Sequence, residues 1–115
     1  MTENDVKTAI IQFLQYSGAL VLRINSGAVS GEDGRFFNFV KWFSLGDDPQ
    51  TAGVADIIAL IPGQPPVFLA VECKTPARRN AVSKAQRRFL DAWKRAGGVA
   101  VVACGIEDVQ EVVRL

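Results

Sequence analysis

The sequence contains no histidine, and Cys73 and Cys104 are the two cysteines among its 115 residues. Without histidine, neither a Ser/His nor a Cys/His nucleophile can be assembled, so any chemistry must rest on carboxylates, lysine and metal. Both cysteines lie in apolar, strand-like runs, with neither the C-x-x-C spacing nor the histidine that a zinc site would need. We therefore predict that both are buried free thiols.

Long apolar runs and an excess of charge are also absent. No apolar run approaches the ~18 to 20 residues of a membrane span, and the start "MTENDVK" lacks the basic-then-apolar order of a signal peptide. We expect a cytoplasmic protein without a membrane partner, in a bacterium or, if phage-encoded, in its host. The net charge of +1 argues against general electrostatic binding of nucleic acid. The length and the hydrophobic content of 49% predict one globular domain over residues 1–115.

The order of apolar and turn-forming segments predicts an α/β sandwich. A helix begins after Thr2 as its N-cap, carries Glu3 and Asp5 in its first turn, and stops near Gly18. Residues 26–52 surround the aromatic segment "FFNFVKWF", which is either a hairpin strand or a partner-facing segment, and we predict that most of this stretch is loop. The other elements are a strand "ALVLRIN", a hairpin of roughly 54–61 and 66–74, a helix from Ser83, a strand "VAVVAC" and a short terminal helix. The order α-β-β-β-α-β-α predicts a mixed central sheet.

The predicted hairpin carries three charges, Asp56, Glu72 and Lys74, where its pattern calls for apolar side chains. The turn is "PGQPP", because two prolines and a glycine continue neither strand. If the hairpin folds about Gln64, Asp56 lies directly opposite Glu72, with Cβ atoms ~4.5 to 5.5 Å apart. The two-residue period of a strand puts Lys74 on the same face as Glu72. Because the other positions of both faces are apolar, we predict that the sheet is covered on both sides and the charges are buried.

Two interpretations of this cluster remain open on spacing alone. Converging carboxylates repel each other unless a cation or a proton lies between them. In one interpretation, Lys74 forms a partly buried salt bridge with Glu72 or Asp56, and no chemistry is involved. In the other, a divalent cation joins the carboxylates, whose hard oxygen atoms suit Mg²⁺ or Mn²⁺, and Lys74 faces a phosphate or the attacking water. The second acid across the strand pair favours the metal.

Positive charge is concentrated directly after the acidic cluster. Eight of the thirteen Lys and Arg residues lie between positions 74 and 95, where only Asp91 opposes them. Such a concentration is expected where a phosphate backbone is held beside a metal site. An ordinary solvated helix face has the same composition, so both interpretations stand. The eight are Lys74, Arg78, Arg79, Lys84, Arg87, Arg88, Lys94 and Arg95.

Gln86 and Glu3 each have a structural and a functional interpretation. Gln86 falls on the apolar face of its helix with Phe89 and Trp93, so its amide needs a partner. Its spacing from Ser83 is also that of a capping box, and both roles hold if the helix start adjoins the site. Glu3 either interacts favourably with the dipole of the first helix or reaches the metal site, and spacing alone favours the dipole.

Taken in order, these residues resemble a known family. "GVAD" at 53–56 followed by "VECK" at 71–74 is similar to the PD-(D/E)-x-K nuclease signature. Over nearly the whole chain, the sequence resembles the virus-type replication-repair nuclease domain, VRR-NUC, in stand-alone form. The further matching elements are Glu3, "RINSG" at 23–27, "SKAQRRF" at 83–89 and "GGVAVV" at 97–102. A lone acid-x-lysine match is weak, whereas six elements in family order are specific. The family usually has proline before its metal-binding aspartate, where this chain has Ala55.

The resemblance implies a restriction-endonuclease-like α/β sandwich and metal-dependent hydrolysis of DNA. It implies that Asp56, Glu72 and the backbone carbonyl of Cys73 bind Mg²⁺ or Mn²⁺, and that Lys74 orients the water and stabilises developing charge. Glu3 would bind metal through water or a second ion, and Gln86 would support the site. The residues expected to contact DNA are Arg78, Arg79, Lys84, Arg87, Arg88, Asn25 and Ser26.

Stand-alone members of this family resemble homodimeric, structure-specific endonucleases of branched DNA such as Holliday junctions, and we expect that function here. The segment "FFNFVKWF" is the candidate dimer surface, because a small domain has difficulty burying seven phenylalanines and two tryptophans. The alternatives are a sequence-specific restriction-type nuclease, a DNA-binding module with a vestigial site, and a purely structural salt-bridge cluster.

Overall fold

A computed structural model describes residues 1–24, 28–30, 36–38 and 40–114 of the chain. Four of its strands form a mixed sheet that lies between helices, which is the predicted fold class and is compatible with a restriction-endonuclease-like fold. No helix in these ranges combines the length and the apolar character needed to cross a bilayer. The elements are α1 (Glu3–Tyr16), β1 (Leu20–Arg23), β2 (Ala28–Ser30), β3 (Phe36–Asn38), β4 (Phe43–Leu45), β5 (Asp48–Gln50), β6 (Ile57–Ile61), β7 (Val67–Cys73), α2 (Lys84–Arg95), β8 (Val99–Ala103) and α3 (Ile106–Val113), with a 3₁₀ turn at Pro76–Arg78.

Helix α1 begins at the predicted N-cap. The Thr2 hydroxyl accepts the Asp5 N–H at 3.1 Å, and the Asp5 carboxylate accepts the Thr2 N–H at 2.8 Å. This capping box satisfies donors of the first turn that have no partner within the helix. The apolar face of α1 packs against the sheet and consists of Val6, Ile10 and Leu14.

The hairpin of β6 and β7 has the predicted register. Ile57 pairs with Val71, so the ladder is symmetric about Gln64. The sheet order is β1-β6-β7-β8, with β1 antiparallel to β6 and β8 parallel to β7 after the α2 crossover. One step beyond the last pair of this ladder, Asp56 comes opposite Glu72, as the pairing arithmetic predicted.

The helices cover the two faces of the sheet unequally. Helices α1 and α3 pack on one face, where Ile57 and Leu69 have no exposed surface. Helix α2 packs on the other face through Phe89, mainly over β7 and β8. Because α2 leaves β1 and the turn end of the hairpin uncovered, Leu20 is 64% exposed and Phe68 51%. The prediction that both faces are fully covered is therefore wrong at that end.

The described residues between 28 and 50 form four short strands, where the sequence predicted mostly loop and offered a hairpin strand only as one interpretation of "FFNFVKWF". Strand β2 pairs with β3, and β4 pairs with β5, each pair antiparallel with three residues per strand. Runs this short give little period-two signal against a loop-like composition. The β4–β5 hairpin is joined to α2 by an edge-to-face contact between Phe43 and Phe89, with ring centroids 5.1 Å apart. The seven predicted elements are present, and within the described residues these four strands are added to the order α-β-β-β-α-β-α.

Candidate active site

Two buried acids lie opposite each other where the hairpin meets α1 and α2. Asp56 immediately precedes β6, and Glu72 is the next-to-last residue of β7. Asp56 is 5% exposed and Glu72 is 2% exposed. Carboxyl groups are rarely so buried unless they are paired, protonated or bound to a cation. The surroundings of each acid show which of these applies.

The Asp56 carboxylate has a partner for each oxygen. Its Oδ2 accepts the N–H of Cys73 at 2.8 Å, and its Oδ1 lies 3.4 Å from Nζ of Lys7. The backbone carbonyl of Asp56 accepts the N–H of Ile24 at 2.7 Å, which continues the β1–β6 pairing toward the site. These contacts fix the orientation of the carboxylate before any ligand binds.

Lys7 was not among the residues predicted from the sequence, although it lies in the site. Its side chain is 11% exposed. It follows Glu3 by one helical turn, and the spacing of Glu3, Lys7, Ile10 and Leu14 is that of one helix face. This spacing is the signal that the sequence offers, but it does not distinguish a buried lysine from the solvated lysine that is usual on a helix.

Glu72 has one bonded and one unbonded oxygen. Its Oε1 accepts a hydrogen bond from Nε2 of Gln86 at 2.8 Å, whereas Oε2 is buried without a hydrogen-bond partner among the described residues. Burial, followed by the charge of Asp56, raises the pKa of Glu72 from 4.5 to about 8 against an opposing effect of Lys74, and Glu3 raises it further. Near neutral pH a proton therefore neutralises Glu72 in the absence of a cation.

Gln86 combines the two roles that its spacing suggested. Its Oε1 accepts the N–H of Ser83 at 2.9 Å and its own N–H donates to Ser83 Oγ at 3.1 Å, so the capping box is formed while Nε2 reaches Glu72. Gly53 permits this arrangement, because its φ is +100° and a Cβ at this position would overlap the Ala85 carbonyl. The close approach of the "GVAD" segment to the start of α2 thus brings Gln86 to Glu72.

Lys74 and Glu3 lie beside the two acids. Lys74 is 7% exposed, and its ammonium forms no ion pair with an acid of the described residues. The predicted alternative, a salt bridge from Lys74 to Asp56 or Glu72, is therefore not formed, and Lys7 makes the ion pair instead. Both Lys74 and Glu3 lie near enough to shift the pKa of Glu72, in opposite directions. The five predicted site residues therefore come together at one end of the sheet.

A basic groove of about 710 Å³ runs beside the start of α2. Ser83 lines this groove and also caps the helix with Gln86, so the groove adjoins the acidic site. Four of the predicted basic contacts line it, namely Arg79, Lys84, Arg87 and Arg88. Arg78 lies in the 3₁₀ turn before the groove and does not line it. Asn25 and Ser26 lie outside the described residues.

Arg79 has a structural contact that the sequence did not indicate. Its guanidinium lies 3.3 Å from Oδ2 of Asp108, and the same oxygen accepts the N–H of Cys104 at 2.8 Å. Asp108 lies in the first turn of α3, so this ion pair links the rim of the groove to that helix. Half of the Arg79 side chain is still exposed, at 51%, and it remains accessible from the groove.

Both cysteines are free and buried, as predicted. Burial raises the pKa of the Cys73 thiol, and the neighbouring charge of Asp56 raises it further, so this thiol stays protonated. The Sγ of Cys104 lies 3.6 Å from the carbonyl oxygen of Thr75. The Cys73 thiol therefore lacks the lowered pKa of a nucleophile or a metal ligand.

The donors fit a hard divalent cation with few protein ligands. In the described part of the chain, no three or more His, Cys, Asp or Glu side chains are grouped as a ready-made metal site. Mg²⁺ usually takes only one or two carboxylates and keeps several waters. Asp56 and Glu72 supply that number, and the unbonded Oε2 of Glu72 is an oxygen that such a cation can use.

The family model for the VRR-NUC domain matches residues 2–107 of the 115-residue chain. This range contains the whole acidic cluster, from Glu3 to Lys74, together with Gln86 and the basic groove. No curated protein matches the chain. No solved structure matches it either.

Proposed function

We propose that this chain, which belongs to the VRR-NUC domain family, is a Mg²⁺- or Mn²⁺-dependent, structure-specific endonuclease of branched DNA such as Holliday junctions. VRR-NUC is a nuclease domain, so family membership makes the chain a nuclease-family protein and implies that it binds DNA. Our proposal adds to this the metal, the preferred DNA structure and the roles of the site residues. The observation that carries it is the buried Oε2 of Glu72, which has no partner among the described residues, in a residue that the strand register places opposite Asp56.

Asp56, Glu72 and the backbone carbonyl of Cys73 would hold the cation. The Cys73 N–H already fixes Asp56 Oδ2, and Gln86 fixes Glu72 Oε1, so both carboxylates are oriented in advance. Preorganised ligands reduce the cost of ordering the site when a cation arrives. When bound, Mg²⁺ or Mn²⁺ supplies polarisation of the scissile phosphate and activation of the attacking water.

The other residues of the cluster act on the phosphate and on the water. Lys74 is buried beside Glu72 and free of ion pairs with the described acids, so its ammonium is available to stabilise charge on the phosphate oxygens. Glu3 would hold a water or a second ion at the edge of the site. In-line attack would leave a 5′-phosphate and a 3′-hydroxyl, as in similar nucleases.

The groove beside α2 is the proposed track for the DNA backbone. Its basic side chains, Arg79, Lys84, Arg87 and Arg88, begin directly next to the helix start that carries Gln86. Lys and Arg bind phosphates through charge, largely independently of sequence, and each contact steepens the salt dependence of binding. This arrangement supports recognition of DNA by its backbone and shape.

A homodimer would explain a preference for branched DNA, because two sites related by a dyad can cut two strands symmetrically. Val40 and Trp42, within "FFNFVKWF", are 52% and 61% exposed. These two side chains lie within one short segment, and grouped apolar exposure, unlike a single exposed residue, is typical of a protein interface. They support placing the dimer contact at this segment.

The proposal is tested by incubating the protein with a four-way junction and with linear duplex of the same sequence, in Mg²⁺, Mn²⁺ or EDTA. We expect metal-dependent cutting of the junction, and a loss of at least about 100-fold in Asp56→Asn and in Lys74→Ala. Lys94→Ala is the matched control, because Lys94 is an exposed lysine at the far end of α2.

Cutting in EDTA, or wild-type rates in either site variant, would refute the mechanism. Cutting that follows sequence and ignores branching would favour the restriction-type alternative. Binding of the junction without cleavage in any metal would favour the DNA-binding module.

A further inference from the structure

A second buried lysine shares the site with Lys74, and the proposed mechanism gives it no role. Nζ of Lys7 lies 3.4 Å from Asp56 Oδ1, and the two side chains are 11% and 6% exposed. An ammonium is buried at a high cost in solvation unless an opposite charge compensates it. The position of Lys7 is therefore explained by its contact with Asp56.

The two proposed metal ligands differ in what occupies their oxygens. Asp56 has both oxygens engaged, Oδ2 by the Cys73 N–H and Oδ1 by Lys7. Glu72 has only Oε1 engaged, by Gln86, while Oε2 has no partner among the described residues. A cation that joins the two carboxylates would thus find a free oxygen on Glu72, but an ammonium already beside Asp56.

The ionisable groups around this point are three acids, Asp56, Glu72 and Glu3, and two lysines, Lys7 and Lys74. Lys74 is assigned to the phosphate. Lys7 reaches the site from α1 and contacts the proposed metal ligand Asp56. Its charge therefore acts directly on any ion that binds Asp56. Two positive charges a few ångströms apart repel strongly when water does not screen them.

We propose that Lys7 is a positioning residue that holds Asp56 in place before metal binds and opposes the divalent cation, so that it sets the metal concentration the site requires. This inference rests on the proposed metal-dependent function. Without a bound cation, the ammonium of Lys7 supplies the positive charge that compensates the buried Asp56 carboxylate. A cation held by Asp56 and Glu72 would supply that charge itself, and Lys7 would then be a like charge close to it.

The direct test is calorimetric titration of Mn²⁺ into the protein without DNA. Lys7→Gln removes the charge and keeps an uncharged hydrogen-bond donor, on a side chain that is one atom shorter. We expect this variant to bind Mn²⁺ at least about tenfold more tightly than the wild type, because a like charge within a few ångströms is removed. Lys7→Arg, which keeps the charge, and Lys94→Gln, at an exposed position, are expected to bind as the wild type does.

Thermal unfolding gives a second measurement that does not depend on catalysis. In EDTA, Lys7→Gln should unfold at a lower temperature than the wild type, because Asp56 loses its compensating charge. Added Mn²⁺ should raise the unfolding temperature of Lys7→Gln more than that of the wild type, since tighter binding to the folded state gives greater stabilisation.

Failure of this inference and failure of the proposed function give different results. If the wild type binds Mn²⁺, Asp56→Asn abolishes binding and Lys7→Gln binds no more tightly than the wild type, the role of Lys7 is refuted while the metal site stands. If neither the wild type nor Lys7→Gln binds Mn²⁺, both are refuted. If Lys7→Gln does not fold in EDTA, its refolding on addition of Mn²⁺ supports the inference. If neither Lys7→Gln nor Lys7→Met refolds when Mn²⁺ is added, the inference is overturned.

Discussion

In the absence of metal, we expect Glu72 to make the free energy of unfolding depend on pH, and we expect the variant Glu72→Gln to lack this dependence. The side chain is 2% exposed, and the structure raises its pKa from 4.5 to about 8. In Glu72→Gln the amide has nearly the same shape, and its oxygen can still accept from Gln86. The substitution therefore removes the ionisation of this position and leaves its packing almost unchanged.

The sign follows from the protons bound in each state. Between pH 4.5 and about 8 the folded protein keeps a proton on Glu72 that the unfolded chain has already lost. Stability from this carboxyl is thus fully present below pH 4.5, and it falls as pH rises until it is gone above pH 8. One pKa unit corresponds to about 1.36 kcal/mol, so the loss over the whole interval is at most about 5 kcal/mol.

The assay is urea unfolding in EDTA at about pH 5 and about pH 9. We expect Glu72→Gln and the wild type to have similar free energies of unfolding at the lower pH, and the variant to be more stable by several kcal/mol at the higher pH. Glu111→Gln, at an exposed position of α3, is the control and should show no such change. A difference between Glu72→Gln and the wild type that is the same at both pH values would refute the reasoning.

Three further predictions follow from single positions. Gly53→Ala should lower the free energy of unfolding by more than the ~1 to 3 kcal/mol of backbone strain at positive φ, because the new Cβ also meets backbone atoms of α2. Gly97→Ala is the control, since a Cβ at Gly97 meets no atom within 4 Å. Equal losses of stability for the two variants in urea unfolding would contradict this. Cys73 should resist iodoacetamide in the native protein and react after unfolding, since it is fully buried and burial raises its thiol pKa; fast native labelling would contradict its placement. Arg87→Ala should reduce the slope of log binding constant against log salt by about one, and Lys94→Ala should leave it unchanged.

The central part of the fold was predictable because strong local signals coincide there with long-range ones. The N-cap Thr2 and the capping box of Ser83 marked the helix starts, and "PGQPP" marked the turn. With the turn fixed, a period of two determined the whole ladder of β6 and β7. The short strands of residues 28–50 lacked such signals, since three residues show no reliable period.

Coverage of the sheet was predicted less well, because it depends on where a helix lies and not on the strand pattern. Phe68 and Leu20 are apolar at positions that alternate correctly, and the pattern alone places them in a core. They are exposed because α2 lies mainly over β7 and β8. Hydrophobic periodicity shows which face of a strand is apolar, but it does not show how far a helix extends across that face.

The residues of the site divide in the same way. Strand pairing predicts some of them, whereas others are brought in by elements that pack on the sheet. Strand register brought Asp56 and Glu72 together and put Lys74 beside Glu72, so these residues were identified from spacing. Lys7 comes from another layer, and its long side chain reaches Asp56 from α1, which no strand arithmetic describes. The same limit applies to Arg79, whose charge indicated DNA but whose guanidinium also binds Asp108.

Spacing also predicted a repulsive acid pair without showing how the protein stabilises it. The structure compensates the two acids by different means, a lysine at Asp56 and a proton at Glu72. A single cation would replace both at once, since it would release the proton and take over the charge that Lys7 supplies. A purely structural cluster would need no unbonded buried oxygen, because a second donor at Oε2 of Glu72 would stabilise it better. The asymmetry between the two carboxylates therefore favours a ligand-binding site over a structural salt-bridge cluster.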